Sequence, residues 1–129
     1  MSNVFKDQKL FFDITGQTPG AESSKLYRAL IDEEYQEMCD AKDMTDAVDA
    51  ALDLIYVCAG YLHSLGLDPQ PLWDEVQLSN MSKFKSPDGF RVMRREDGKI
   101  MKGPAYFAPD LHGLIMDQMS GRGFEKTHY

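Results

Sequence analysis

The sequence predicts an all-α fold, a bundle of four to five helices followed by a small C-terminal β-hairpin and an irregular extension. Three observations carry this. Apolar residues between positions 4 and 84 recur at roughly helical spacing. Gly16, Pro19-Gly20, Gly66 and Pro69 punctuate that region and leave segments of helix length between them. Beyond position 85 the pattern breaks into short runs around Pro87-Asp88-Gly89 and Asp97-Gly98, both turn signals.

The elements follow in order. Val4, Phe5, Leu10, Phe11, Phe12 and Ile14 give the first helix, 4–14, a broad apolar face, and Gly16 with Pro19-Gly20 ends it. Ser23 or Ser24 is expected to cap a second helix over about 25–41, with Leu26, Tyr27, Leu30, Ile31 and Met38 as its apolar stripe. Thr45 opens a third helix, which runs to Leu65 and stops at Gly66. A fourth covers about 71–84 after Asp68-Pro69, with Leu72, Trp73, Val76 and Met81 apolar. Asp97-Gly98 separates 91–95 from 99–102 and predicts the hairpin. A last short helix is expected over 110–119, and 120–129 reads as a frayed or partner-bound tail. The expected organisation is a single domain over 1–129, with its helical core at about 4–84 and the hairpin and tail at 85–129.

Composition limits the function. A chain of 129 residues with 43% hydrophobic residues suits one core. The net charge of −7 argues against a nucleic-acid partner, since backbone binding needs Lys and Arg to displace counterions. The longest apolar stretch, 50–62, is too short to span a bilayer and contains Asp53, so no membrane partner is expected. Cys39 and Cys58 lack metal or disulfide spacing and read as reduced thiols, consistent with a soluble cytoplasmic protein.

Two acidic rows carry the chemistry. Glu33, Glu34 and Glu37 are three and four residues apart, so all three can point to one side of the second helix. Asp49 and Asp53 are spaced i,i+4 on the third, and Asp53 sits in the apolar run Ala50-Ala51-Leu52-Asp53-Leu54-Ile55-Tyr56-Val57. The short linker makes the two helices antiparallel neighbours. A carboxylate among Leu, Ile and Val costs several kcal/mol unless a cation or donor compensates it. Facing carboxylates without a protein cation suit Mg²⁺, which keeps waters and leaves positions for substrate phosphates. The competing readings are a solvated acidic face and, for Asp53, a buried hydrogen-bonded carboxylate without metal.

These residues resemble the MazG-like all-α nucleoside triphosphate pyrophosphohydrolases, a superfamily that includes phosphoribosyl-ATP pyrophosphohydrolase. The superfamily's E-E-x-x-E is matched by Glu33-Glu34-x-x-Glu37, and its aspartate with following apolar run by Asp53-Leu54-Ile55-Tyr56-Val57. The acidic position three before the aspartate is Ala50 here, with Asp49 one residue earlier. Leu72-Trp73-Asp74-Glu75-Val76-x-x-Ser79-Asn80-Met81-Ser82-Lys83 is similar to a segment of a bacterial and phage subgroup. So is Gly98-Lys99-x-x-Lys102-Gly103-Pro104-x-Tyr106-Phe107-x-Pro109-Asp110-Leu111.

The resemblance implies hydrolysis of a (deoxy)nucleoside triphosphate to the monophosphate and pyrophosphate, in control of nucleotide pools. Two or three Mg²⁺ per site, or Mn²⁺ in their place, are expected on Glu34, Glu37, Asp49 and Asp53, with Glu33 or Glu34 as general base. Asn80, Lys83, Lys99 and Lys102 are the expected phosphate contacts. Tyr106 and Phe107 are candidate base contacts. Trp73 reads as core or subunit interface, and His63 as packing or interface rather than a ligand. The resemblance also implies a homodimer or homotetramer, and host cytoplasm for a phage-encoded chain. dGTP or GTP is the first expected substrate. dUTP, dCTP, another phosphoanhydride and a non-catalytic nucleotide-binding module are the alternatives.

Overall fold

The computed structural model describes residues 3–120. Its elements are α1 (Val4–Ile14), α2 (Ala21–Cys39), α3 (Met44–Ser64), α4 (Pro69–Ser82), β1 (Lys85–Ser86), β2 (Gly89–Phe90) and α5 (Leu111–Met119). The fold is all-α with one small antiparallel hairpin, as the sequence predicts. Two compact units are distinguished among these residues, one up to Pro69 and one over Gln70–Ser120. Among the described residues no single helix is long and apolar enough to cross a membrane.

In the first unit, Asn3 caps α1 by accepting the Lys6 N–H at 2.9 Å, and Asp43 caps α3 by accepting the Asp46 N–H at 2.8 Å. The expected serine cap on α2 does not form. The helix begins at Ala21 after Gly20, and the hydroxyls of Ser23 and Ser24 lie inside it. They donate to the carbonyls of Thr18 and Gly20 at 2.7 and 2.9 Å. This is the back-bonding that serine adopts when its helix starts earlier than the hydroxyl.

Helices α2 and α3 pack antiparallel. The start of one meets the end of the other, where the Ser24 and Ser64 hydroxyls are 3.1 Å apart and the Gly20 N–H donates to the Ser64 carbonyl at 3.0 Å. The inward side of α2 runs through Ser24, Tyr27, Ile31 and Glu34, and that of α3 through Ala50, Asp53, Val57, Gly60 and Ser64. Alternating steps of three and four residues make a seam of the kind two helices share. Both Glu34 and Asp53 occupy seam positions.

Helix α1 packs on α3, with the Phe11 ring edge-on to Tyr56 at 5.7 Å between centroids. Phe12, 1% exposed, lies between Tyr27 and His63, with ring centroids 6.1 Å from each. A polar chain runs through this core. Gln8 donates from Nε2 to Tyr27 Oη at 2.9 Å, and Tyr27 donates to Gln17 Oε1 at 2.5 Å. Gly60 makes the approach possible, since a Cβ there would lie 2.1 Å from Tyr27 Cε1. His63 is thus a packed core residue, as its place on the third helix suggested.

The apolar stripes are only partly covered. Leu26 and Met38 on α2 are exposed, as are Leu10, Phe11 and Ile14 on α1. On α3, Met44, Val48, Leu52 and Ile55 form a further row on the side away from the seam, each at least half exposed. Cys39 and Cys58 are free thiols.

In the second unit, Leu72 is buried, whereas Trp73 is 56% exposed and does not belong to the core. A short regular ladder forms ahead of the expected hairpin. It pairs Lys85 with Phe90 and Ser86 with Gly89 around Pro87-Asp88. At Asp97-Gly98 the chain reverses as expected, and around the Arg94–Ile100 bridge the Arg95 N–H donates to the Lys99 carbonyl and the Met101 N–H to the Met93 carbonyl, each at 2.8 Å. The reversal is held by the Arg95–Asp97 ion pair and by Asp97 accepting the Lys99 N–H at 3.1 Å. The runs on either side are largely exposed, so no buried face propagates the ladder. Asp110 caps α5, accepting the Gly113 N–H at 3.1 Å. The predicted tail from 121 onward lies outside the described residues.

Candidate active site

The acidic rows are carried by the α2–α3 seam. The register set by Ser24 against Ser64 brings Glu34 level with Asp53. Glu34 extends the stripe that begins with Tyr27 and Ile31 and is half-buried, while Glu33 and Glu37 are exposed. One Glu34 oxygen, Oε2, is buried and has no hydrogen-bond partner among the described residues.

The Glu34 carboxyl is pushed up to about 7. Removal from water is the largest cause, followed by its hydrogen bond with Glu37, then by the negative charge of Glu37, Asp53 and Glu33. Three of the other four predicted carboxylates therefore act on Glu34. Asp49 stands on α3 one turn before Asp53 and is exposed, while Ala50, at the position where the superfamily carries an acid, is 2% exposed within the seam.

Among the described residues no three Asp, Glu, His or Cys side chains close into a ready-made metal shell. The donor set nevertheless suits a hard divalent cation. It is all carboxylate oxygen, its members repel one another, and a buried oxygen lacks a partner. Glu34, Glu37 and Asp53, with Asp49 beside them, are the residues that could hold such an ion.

The second unit gathers most of the remaining predicted residues at the end of α4. Lys83 follows the helix, and its carbonyl accepts the Gly103 N–H at 3.0 Å. The Lys102 ammonium lies over the Tyr106 ring, 4.8 Å from the centroid. Both backbone polar groups of Phe107 are captured by α4 serines, its N–H by Ser82 Oγ at 3.1 Å and its carbonyl by the Ser79 hydroxyl at 2.8 Å. Asn80 is exposed on the same last turn, and Lys99 sits apart on the Asp97-Gly98 reversal.

Sequence reasoning quoted Glu75, Ser79 and Ser82 without giving them a role. Their spacing of four and three residues on one helical face was the available signal. The Gln8–Tyr27–Gln17 chain was missed because its members are far apart in sequence.

An antiparallel helical pair with carboxylates gathered in its seam defines the class, an all-α bundle with an acidic seam. A family model described as phosphoribosyl-ATP pyrophosphohydrolase matches residues 4–80, and the chain belongs to that family, within the MazG-like all-α nucleoside triphosphate pyrophosphohydrolases. It is accordingly a pyrophosphohydrolase acting on a nucleotide phosphoanhydride. No curated protein matches the chain.

Proposed function

We propose that the protein hydrolyses a nucleoside or deoxynucleoside triphosphate to its monophosphate and pyrophosphate, with dGTP or GTP as the first substrate to test. The observation that carries this is the half-buried Glu34, with an unpartnered oxygen, set among Glu33, Glu37 and Asp53. Glu34, Glu37, Asp49 and Asp53 would hold Mg²⁺ or Mn²⁺. When bound, the ion supplies positive charge against the phosphate oxygens.

The chain's own residues supply the rest. Glu33 or Glu34 orients a water for attack on the α-phosphorus and accepts its proton as the bond to the pyrophosphate oxygen breaks. Asn80, Lys83, Lys99 and Lys102 donate to phosphate oxygens, the lysines stabilising charge that develops there. Phe107 offers an aromatic face to a base, a contact tolerant of base identity.

We also propose that the working form is a homo-oligomer. The row Met44, Val48, Leu52 and Ile55 on α3 exposes apolar side chains that a second copy would cover. A stable interface buries on the order of 800 Å² per partner.

The test is product analysis over a panel of NTPs, dNTPs and phosphoribosyl-ATP with Mg²⁺ or Mn²⁺, beside Glu37→Gln. Monophosphate and pyrophosphate from one triphosphate, absent in the variant, is the expected result. Turnover of phosphoribosyl-ATP alone would replace the substrate and keep the chemistry. Triphosphate binding without turnover would assign a nucleotide-binding module instead.

A further inference from the structure

Glu75, Ser79 and Ser82 lie on one face of α4, and each takes hold of the returning chain. Glu75 Oε2 accepts the Asp110 N–H at 3.0 Å. The Ser79 hydroxyl donates to the Phe107 carbonyl, and Ser82 Oγ accepts the Phe107 N–H. Ser82 spends its own proton on the Ser79 carbonyl at 2.6 Å while its oxygen accepts from Phe107. Ser79 is 3% exposed and Ser82 0%. A fourth tie is the Gly103 N–H to the Lys83 carbonyl, one of the acceptors left unpaired where the helix ends. A Cβ on Gly103 would lie 2.5 Å from that carbonyl oxygen, so the approach requires glycine.

The segment 103–110 is therefore a strap bolted along α4. It has no regular structure of its own, and no partner strand. Its backbone groups would otherwise be satisfied by water, and the strap would wander. The side chains near its start are Lys102 and Tyr106, stacked on each other. The anchored end of the strap thus sets where the Lys102 ammonium stands relative to the end of α4.

We infer that Ser82, assisted by Ser79 and by the close approach of Gly103, is a positioning residue for a phosphate-binding Lys102. This rests on the proposal above that Lys102 receives phosphate. Ser82 is fully buried, so it acts on a ligand only through the strap. Ser82 and the strap both lie beyond residue 80, where the family match stops. The strap would convert a flexible lysine into one held ready, which lowers the ordering cost on binding.

The test is calorimetric titration of the full-length protein with inorganic pyrophosphate at constant Mg²⁺. Lys102→Ala is expected to weaken binding about 10-fold, as for loss of one charge-assisted hydrogen bond. Ser82→Ala is expected to weaken it by roughly 5- to 10-fold with helical circular dichroism unchanged. The deciding variant is the double one. Ser82→Ala with Lys102→Ala should bind no more weakly than Lys102→Ala alone, because Ser82 acts through Lys102. Multiplied losses in the double variant would mean a general structural role and overturn the inference. If Ser82→Ala does not fold, Gly103→Ala takes its place in the same cycle. Weakened Lys102→Ala with Ser82→Ala and Gly103→Ala at wild-type affinity overturns the positioning role alone. Wild-type affinity in Lys102→Ala, Lys83→Ala and Asn80→Ala removes the phosphate site itself, and the inference with it.

Discussion

His63 Nδ1 lies 2.6 Å from Gln8 Oε1, joining α3 to α1 through a buried hydrogen bond. Gln8 spends its amide N–H on Tyr27, so its carbonyl oxygen faces the imidazole and His63 is the donor. The ring is neutral in the core, held below the ordinary 6.5. Burial is the main cause, and Lys9 adds to it against the opposing charges of Asp13 and Asp68.

A pH dependence of stability follows. In the unfolded chain His63 takes up its proton near 6.5, whereas in the folded protein it resists it. Below 6.5 the unfolded chain binds the His63 proton more readily, so the contribution of His63 to stability is complete above that pH and falls as the pH drops through it. The slope is up to about 1.4 kcal/mol per pH unit until the folded ring also protonates. The raised Glu34 carboxyl acts in the opposite sense over this range, so urea denaturation at pH 5.5 and 7.5 measures the His63 effect in a Glu34→Gln background, where His63→Gln should flatten the difference.

Gly60→Ala should destabilise the first unit by about 1–3 kcal/mol, as overpacking does in a filled core. The added methyl meets the Tyr27 ring, which is itself tied to Gln8 and Gln17. Tyr27→Phe removes the hydroxyl and leaves the Gln17 oxygen without its donor, a loss of about 1–3 kcal/mol. Thermal melts of the two single variants test both.

Divalent cations should raise the melting temperature. A ligand that binds only the folded state at 100 times its Kd contributes about 2.7 kcal/mol. Mg²⁺ or Mn²⁺ should do so in the wild type and lose the effect in Glu34→Gln and Asp53→Asn. An equal rise in those variants would place the ion elsewhere.

Glu37→Gln and Asp53→Asn should each abolish turnover while the helical fold persists. Either residue lies among the carboxylates that act on Glu34, and both substitutions keep the side-chain shape. Product formation at the wild-type rate in either variant would remove the proposed site.

Leu52→Glu on the outer row of α3 should shift the sedimentation of the protein toward a monomer. Leu52 is 60% exposed, so the change costs little within one chain and places a charge where a second copy would pack. Unchanged sedimentation would send the interface to another face.

The helices and the acidic rows were legible because they are local. Gly16, Gly66 and Pro69 mark helix ends within a residue or two of themselves, and i,i+4 spacing puts carboxylates on one side with no tertiary information, whereas the caps at Asn3 and Asp43 went unread. The second helix start was misplaced because a serine reads as a cap whether it stands before a helix or inside it. The Asp97-Gly98 hairpin was legible as a local turn signal between two short runs, whereas the pairing of Lys85 with Phe90 was not assigned from Pro87-Asp88-Gly89.

The sequence by itself determined an all-α fold, two carboxylate rows on consecutive helices and the family to which they belong. Only the tertiary structure decided which of those carboxylates is taken out of water. Burial depends on the register between α2 and α3, and that register is set by Ser24 meeting Ser64, 40 residues apart. It also decided that Ser79 and Ser82 grip Phe107, because such a pairing belongs to chain distance and not to neighbouring residues.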